Sequence, residues 1–151
     1  MGFYSTTDFR PEVSLGYLAR RVQQLAQTGL EPVCAAAGLS YLQWHALVSI
    51  HYGRGTTCAA LARDLAYDKG ATTRLVDVLE DKGWVRRARD GDDRRIVGLT
   101  LTAEGERLAR DVRDDVIEAW NGWVEDWPAA DLAAAIATLQ RLHATLEDKI
   151  A

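Results

Sequence analysis

The chain has only two cysteines in 151 residues, Cys34 and Cys58, and no CxxC pair. That excludes a disulfide scaffold and a zinc site of the usual Cys/His spacing, so both are read as buried, reduced and inert thiols. No apolar run approaches the roughly 20 residues needed to cross a bilayer. The opening stretch MGFYSTTDFRPEV has neither the basic start nor the apolar centre of a signal peptide, so a cytoplasmic protein without a membrane partner is expected. Excess positive charge is also missing. With 18 Lys and Arg against 22 Asp and Glu, the net charge is -4, which argues against indiscriminate coating of nucleic acid. No paired carboxylates, nucleophile elbow or phosphate loop stand in a recognisable context, so no enzymatic activity and no cofactor are expected.

What is present is an ordinary globular composition, 48% hydrophobic and 26% charged, with an uneven distribution of charge. From Lys82 to Arg95 there are six cations (Lys82, Arg86, Arg87, Arg89, Arg94 and Arg95) against three anions (Asp90, Asp92 and Asp93), while the C-terminal third is acidic. A local basic patch on an acidic body is the footprint of a site-specific contact.

Periodicity organises the rest. Residues 13 to 28 place Val13, Tyr17, Leu18, Val22 and Leu25 at helical spacing. A break is expected at Gly29 to Pro32, then a short alanine-rich segment ended by Gly38. Ser40 offers an N-cap and Gly53 a stop for a helix whose buried stripe is Leu42, Ala46, Leu47 and Ile50. Thr56 or Thr57 caps a short helix with Leu61, Ala62 and Leu65 facing inward. After a turn at residues 66 to 68, Asp68 caps a second helix with Leu75, Val76 and Leu79 inside, closed at Lys82 and Gly83. Two short helices around a tight turn make a helix-turn-helix. Residues 84 to 89 and 96 to 102 read as strands around the turn residues Asp90, Gly91, Asp92 and Asp93, a hairpin that completes a winged helix. A further helix starts near Ala103, runs through Leu108, Val112, Val116 and Trp120 and ends before Pro128. The last spans Ala129 to about Ile150, with Leu132, Ile136, Leu139, Leu142 and Leu146 on one side.

The expected fold is therefore mainly α with a small β-hairpin wing. Residues 39–103 form a winged helix-turn-helix DNA-binding lobe, and residues 1–38 and 104–151 a helical dimerisation region. Apolar stripes at both ends of the chain, with few intrachain partners, favour a symmetric homodimer.

The block from Asp93 to Gly105 resembles the signature of the MarR family of bacterial transcription regulators: Asp-x-Arg, three residues, Leu-x-Leu-Thr, two residues, Gly. Here it is carried by Asp93, Arg95, Leu99, Leu101, Thr102 and Gly105. The run LARDLAYDKGATTRLVDVLEDKGWVRRARDGDDRR is similar to that family's helix-turn-helix, recognition helix and wing in order and spacing. The resemblance implies a homodimer whose terminal helices interlock and whose two lobes reach successive major grooves. It also implies wing arginines in the adjacent minor groove.

Candidate site residues follow. On the recognition helix, Lys69, Thr72, Thr73 and Arg74 are the candidate base and phosphate contacts, and Arg to guanine is the commonest specific pairing. Thr72 stands where the family usually has a buried aliphatic, so a core role is set beside the DNA role. Gly70 and Ala71 occupy positions where relatives often carry hydroxyls. On the wing, Arg94 projects while Asp93 and Arg95 stiffen the turn by an ion pair; the plainer reading is a solvated charged turn. His45, His51 and Cys58 are read as unrelated side chains, not metal ligands. Trp120, Trp123 and Trp127 are read as packing, against the sharper reading of an aromatic-lined pocket.

Family members often hold effectors in the crevice between dimer domain and lobe. Tyr17, Arg21, Trp44 and His45 are the candidate walls here, and a small aromatic or phenolic molecule is the implied effector. The function read from the sequence is a ligand-responsive repressor binding double-stranded DNA at a palindromic operator. The alternative is a protein-interaction module with a winged-helix fold that has lost DNA binding.

Overall fold

The computed structural model describes residues 3–6, 9–89 and 97–150. They fold into six helices and one hairpin: α1 Leu15–Ala36, α2 Tyr41–His51, α3 Cys58–Asp64, α4 Lys69–Asp81, β1 Val85–Arg89, β2 Val97–Leu101, α5 Ala103–Trp123 and α6 Ala129–Ile150, with a 3-10 turn at Pro11–Val13. The chain divides into two compact units, Met1–Val116 and Ile117–Ala151. Among the described residues no single helix is long and apolar enough to cross a membrane.

The helix starts are set by side chains that satisfy free backbone donors. Ser14 accepts from the Tyr17 amide, Thr57 from that of Ala60 and Asp68 from that of Ala71. Ser40 and Gln43 close a reciprocal capping box at the start of α2. Gly53 and Gly83, just past α2 and α4, take φ values of 72 and 74, the left-handed region that a side chain would strain.

The first helix departs from the expected boundaries. It does not break at Gly29 to Pro32 but continues through Pro32 to Ala36 as one helix of 22 residues. Proline removes the amide that would bond the Thr28 carbonyl, a cost of about 3 kcal/mol in a helix interior. Burial of Ala26, Leu30 and Cys34, which share one face at successive spacings of four, offsets it. The stripe read from the sequence is exposed at Leu18, Val22 and Leu25, so full burial in α1 is confined to its second half.

The core of the first unit joins Leu30 and Cys34 of α1, Ala46 and Leu47 of α2, Leu61 of α3, Val76 and Leu79 of α4, Val85 and Leu99 of the hairpin, and Leu108 and Val112 of α5. Leu42, expected inside, is only half-buried, and Trp44 is buried in its place. The strands pair antiparallel with Val85 opposite Leu101 and Arg89 opposite Val97. Residues just before α3 add a third edge: the Leu99 amide donates to the Thr56 carbonyl at 2.8 Å, and Thr57 bridges Gly98. In the second unit α6 buries nothing fully, and Ile136, Leu139, Leu146 and Ile150 form an exposed apolar row.

Candidate nucleic-acid interface

The first turns of α4 present Lys69, Thr73 and Arg74 to solvent. Thr73 donates its hydroxyl hydrogen to the Lys69 carbonyl at 2.8 Å, which leaves the oxygen as an acceptor. The exposed partner it fits is therefore a donor, such as a base amino group. A side chain at Gly70 would come 3.2 Å from the Asp68 carboxylate oxygen that caps α4, so the missing Cβ leaves that cap undisturbed, while Nη1 of Arg74 at 3.9 Å would be in ordinary contact. Thr72 is not part of this surface. It is 1% exposed, and its hydroxyl donates to the Asp68 carbonyl at 2.9 Å, which places it in the core as a substitute for a buried aliphatic.

The face that carries Arg74 also carries Asp77, a charge that would repel phosphate. Arg87 of β1 cancels it. Its guanidinium donates to Asp77 at 2.6 Å and to Glu80 at 2.5 Å, while its own amide donates to Glu80 at 3.1 Å. One arginine thus locks the hairpin onto the recognition helix and is not a free member of the basic patch. Lys82 is engaged as well, with its ammonium 4.3 Å from the centre of the Trp84 ring. Arg86 remains exposed. The clamp was missed in the sequence, where its trace was two acids three positions apart on α4 facing a strand of arginines.

The Arg87 amide, followed by its guanidinium, holds the Glu80 carboxyl below its ordinary value of 4.5. A carboxyl depressed in the folded state stabilises above its unfolded pKa and loses that contribution as pH falls through the folded one. Arg87→Ala is accordingly expected to lower the thermal midpoint at pH 7, with the difference from wild type shrinking as pH drops below about 4. Thermal melts at several pH values check this; a difference independent of pH would show that Glu80 does not carry the effect.

At the other end of the hairpin, Thr102 donates through its hydroxyl to the Gly83 carbonyl at 2.6 Å and through its amide to the Trp84 carbonyl at 3.0 Å. The same hydroxyl accepts from Gly105, so the Leu-x-Leu-Thr-x-x-Gly block is the joint between hairpin and α5. His51, at the end of α2, bonds Glu106 at 2.6 Å across the same region. Asp93, Arg94 and Arg95 lie outside the described residues.

The four candidate effector residues are not brought together. Tyr17 and Arg21 are exposed on α1, and Arg21 donates to Gln24 at 3.2 Å. Trp44 is 7% exposed, and its indole nitrogen has no hydrogen-bond partner among the described residues. His45 instead lines a cavity with Gln23 and Gln27, which lie about 160° and 120° around α1 from Arg21 at 3.6 residues per turn.

Burial, reinforced by the charge of Glu31, pushes the Cys34 thiol up to about 11. Cys58 is half-buried at the first position of α3 rather than fully buried as expected. Trp120, Trp123 and Trp127 are all exposed, with the first two rings edge to face at 5.1 Å.

Comparison with known proteins converges on one group. The sequence model of the MarR family matches residues 39–97. The multiple antibiotic resistance protein MarR of Escherichia coli is 34% identical over 105 residues, 69% of this chain and 73% of that protein. A mutant of the E. coli protein complexed with operator DNA superposes with a TM-score of 0.75 at 26% identity, over 87% of this chain and 94% of that one. CouR of Rhodococcus jostii bound to p-coumaroyl-CoA does so at 0.76 and 27%, over 88% and 94%.

Proposed function

The chain belongs to the MarR family of transcriptional regulators, and from that premise we propose that it is a ligand-responsive repressor gripping a palindromic operator as a homodimer. The observation that carries this reading is the exposed cluster Lys69, Thr73 and Arg74 on the first turns of α4, beside an acidic residue that Arg87 neutralises. An exposed helix start with a cation, an acceptor and a guanidinium is what a major groove accepts. The relative solved with operator DNA supports the same partner, and the relative bound to p-coumaroyl-CoA supports a small-molecule input. A chromosomal partner puts this activity in the cytoplasm, and no catalysed reaction is part of it.

Dimerisation is assigned to residues 1–38 and 104–151, and DNA contact to residues 39–103. Exposed Leu18, Val22 and Leu25 on α1 and exposed Ile136, Leu139 and Leu146 on α6 are the apolar surfaces a second copy would cover. Twofold symmetry then sets two α4 helices about 34 Å apart, one turn of B-DNA. Sedimentation at micromolar concentration is expected to show a dimer, and DNA selected from a random pool should carry two inverted half-sites one turn apart. A monomer would end the dimer assignment. A dimer that binds selected DNA no better than random DNA would leave pairing with another regulator as the function.

A further inference from the structure

A cavity of about 140 Å3 opens where the second half of α1, the start of α2 and the end of α3 meet. Gln23 and Gln27 come from α1, Tyr41 and His45 from α2, and Asp64 and Tyr67 from the end of α3 and the turn after it. We propose that this cavity binds a small organic cation of about one ring in size, and that occupancy is passed to the recognition helix through Tyr67.

The sign of the charge follows from the lining. Asp64 is its one ionised side chain, because burial pushes the His45 imidazole below 6.5 against a smaller opposing pull from Asp64. Among the described residues Asp64 pairs with Arg54, whose Nη1 stands 3.8 Å away on a side chain 72% exposed to water, a long and screened pair that leaves the carboxylate available. Two tyrosine rings and two side-chain amide oxygens can accept an ammonium group beside Asp64, whose charge is what disfavours a carboxylate. Tyr41 and His45 stand with ring centres 4.3 Å apart and planes tilted by 54°, which offers an angled aromatic corner to an apolar body. A cavity of about 150 Å3 holds one benzene ring, which sets the size of the guest.

Transmission follows from position. Tyr67 is followed by Asp68, the cap of α4, and preceded by Ala66, whose φ of 54 puts a residue with a side chain in the left-handed region. The Tyr67 amide is tied to the Ala62 carbonyl at 2.9 Å, so a guest pressing on this residue acts on the strained turn two positions before Lys69. The site itself stands apart from the proposed operator; only the consequence for DNA rests on that reading.

The test uses the full chain, with benzylammonium as probe and size-matched benzoate as control. Calorimetry at pH 7 is expected to show saturable binding of benzylammonium, one per chain, and none of benzoate. Asp64→Asn should weaken it at least tenfold and Tyr67→Leu several-fold, with both variants keeping the wild-type circular dichroism. Hydrogen exchange of the amides of residues 67–72 should change on binding whether or not an operator has been found, and where one has, its affinity should fall about tenfold, reciprocally with that of the amine. No saturable heat up to about 10 mM, equal binding of benzoate, or undiminished binding by folded Asp64→Asn overturns the site. Binding without altered exchange at residues 67–72 overturns the transmission, and a failure of operator binding alone overturns only the proposed function.

Discussion

Gly105→Ala is expected to lower stability by about 3 kcal/mol and the thermal midpoint by on the order of 10 °C, for the addition of one methyl group. A Cβ at that position would stand 2.0 Å from the Trp84 carbonyl oxygen, 3.0 Å from its carbon and 3.3 Å from its Cα. All three are backbone atoms, so no side chain can swing aside. The Trp84 segment is itself held: its amide donates to Leu79, its carbonyl accepts from Thr102, and the Lys82 ammonium covers its ring. Either α5 lifts off the junction of α4 and β1, or the hairpin shifts and drags Arg87 from Asp77 and Glu80. Gly16→Ala is the control, since nothing lies within 4 Å of a Cβ there and the residue sits inside α1. That change is expected to add about 0.5 to 1 kcal/mol by restricting the unfolded chain. If Gly105→Ala melts within a degree or two of wild type, the docking of α5 on Trp84 is not what fixes this glycine.

Most of the fold was legible because its punctuation is local. Ser40, Thr57, Asp68 and Gly83 each act on the backbone within a few residues, and each lies at an element end. Pro32 misled because the burial that outweighs it involves residues distant in sequence. Coverage misled in a related way: Leu18 and Val22 continue the ridge of Ala26, Leu30 and Cys34 at spacings of four, and periodicity does not say that only the second half of α1 is covered. Tyr17 and Arg21 were set beside Trp44 and His45 on the family's crevice, and in the structure Tyr17 and Arg21 stand exposed on α1. The recognition surface was legible for the opposite reason, since Lys69, Thr73 and Arg74 share the first two turns of one helix. The cavity was not, because it gathers residues from 23 to 67 on three elements and only the fold brings them together. Gly105 could be recognised from its motif but not explained, for its reason is a carbonyl twenty-one residues earlier in the chain.

Arg74→Ala is expected to weaken operator binding by roughly ten- to a hundredfold and to relax preference at a single base position, as the loss of one bidentate contact to guanine does. Lys69→Ala should act differently. A point charge on phosphate carries no sequence information, so affinity should fall evenly across sequences and the slope of log K against log salt should decrease by about 1. Thr72→Val is the discriminating third variant: its hydroxyl bonds Asp68 inside the core, so the change should alter stability and leave base preference intact. Arg94→Ala and Arg95→Ala, at positions outside the described residues, are each expected to lower affinity and the salt slope if they meet phosphate or a groove. Binding isotherms at several salt concentrations, on the selected operator and on single-base variants of it, separate these routes. If Arg74→Ala lowers affinity by the same factor for every sequence, its guanidinium reads phosphate instead of a base, and specificity must come from Thr73, the wing or the shape of the DNA. If Thr72→Val changes base preference, the hydroxyl leaves Asp68 on binding, and the start of α4 rearranges on DNA.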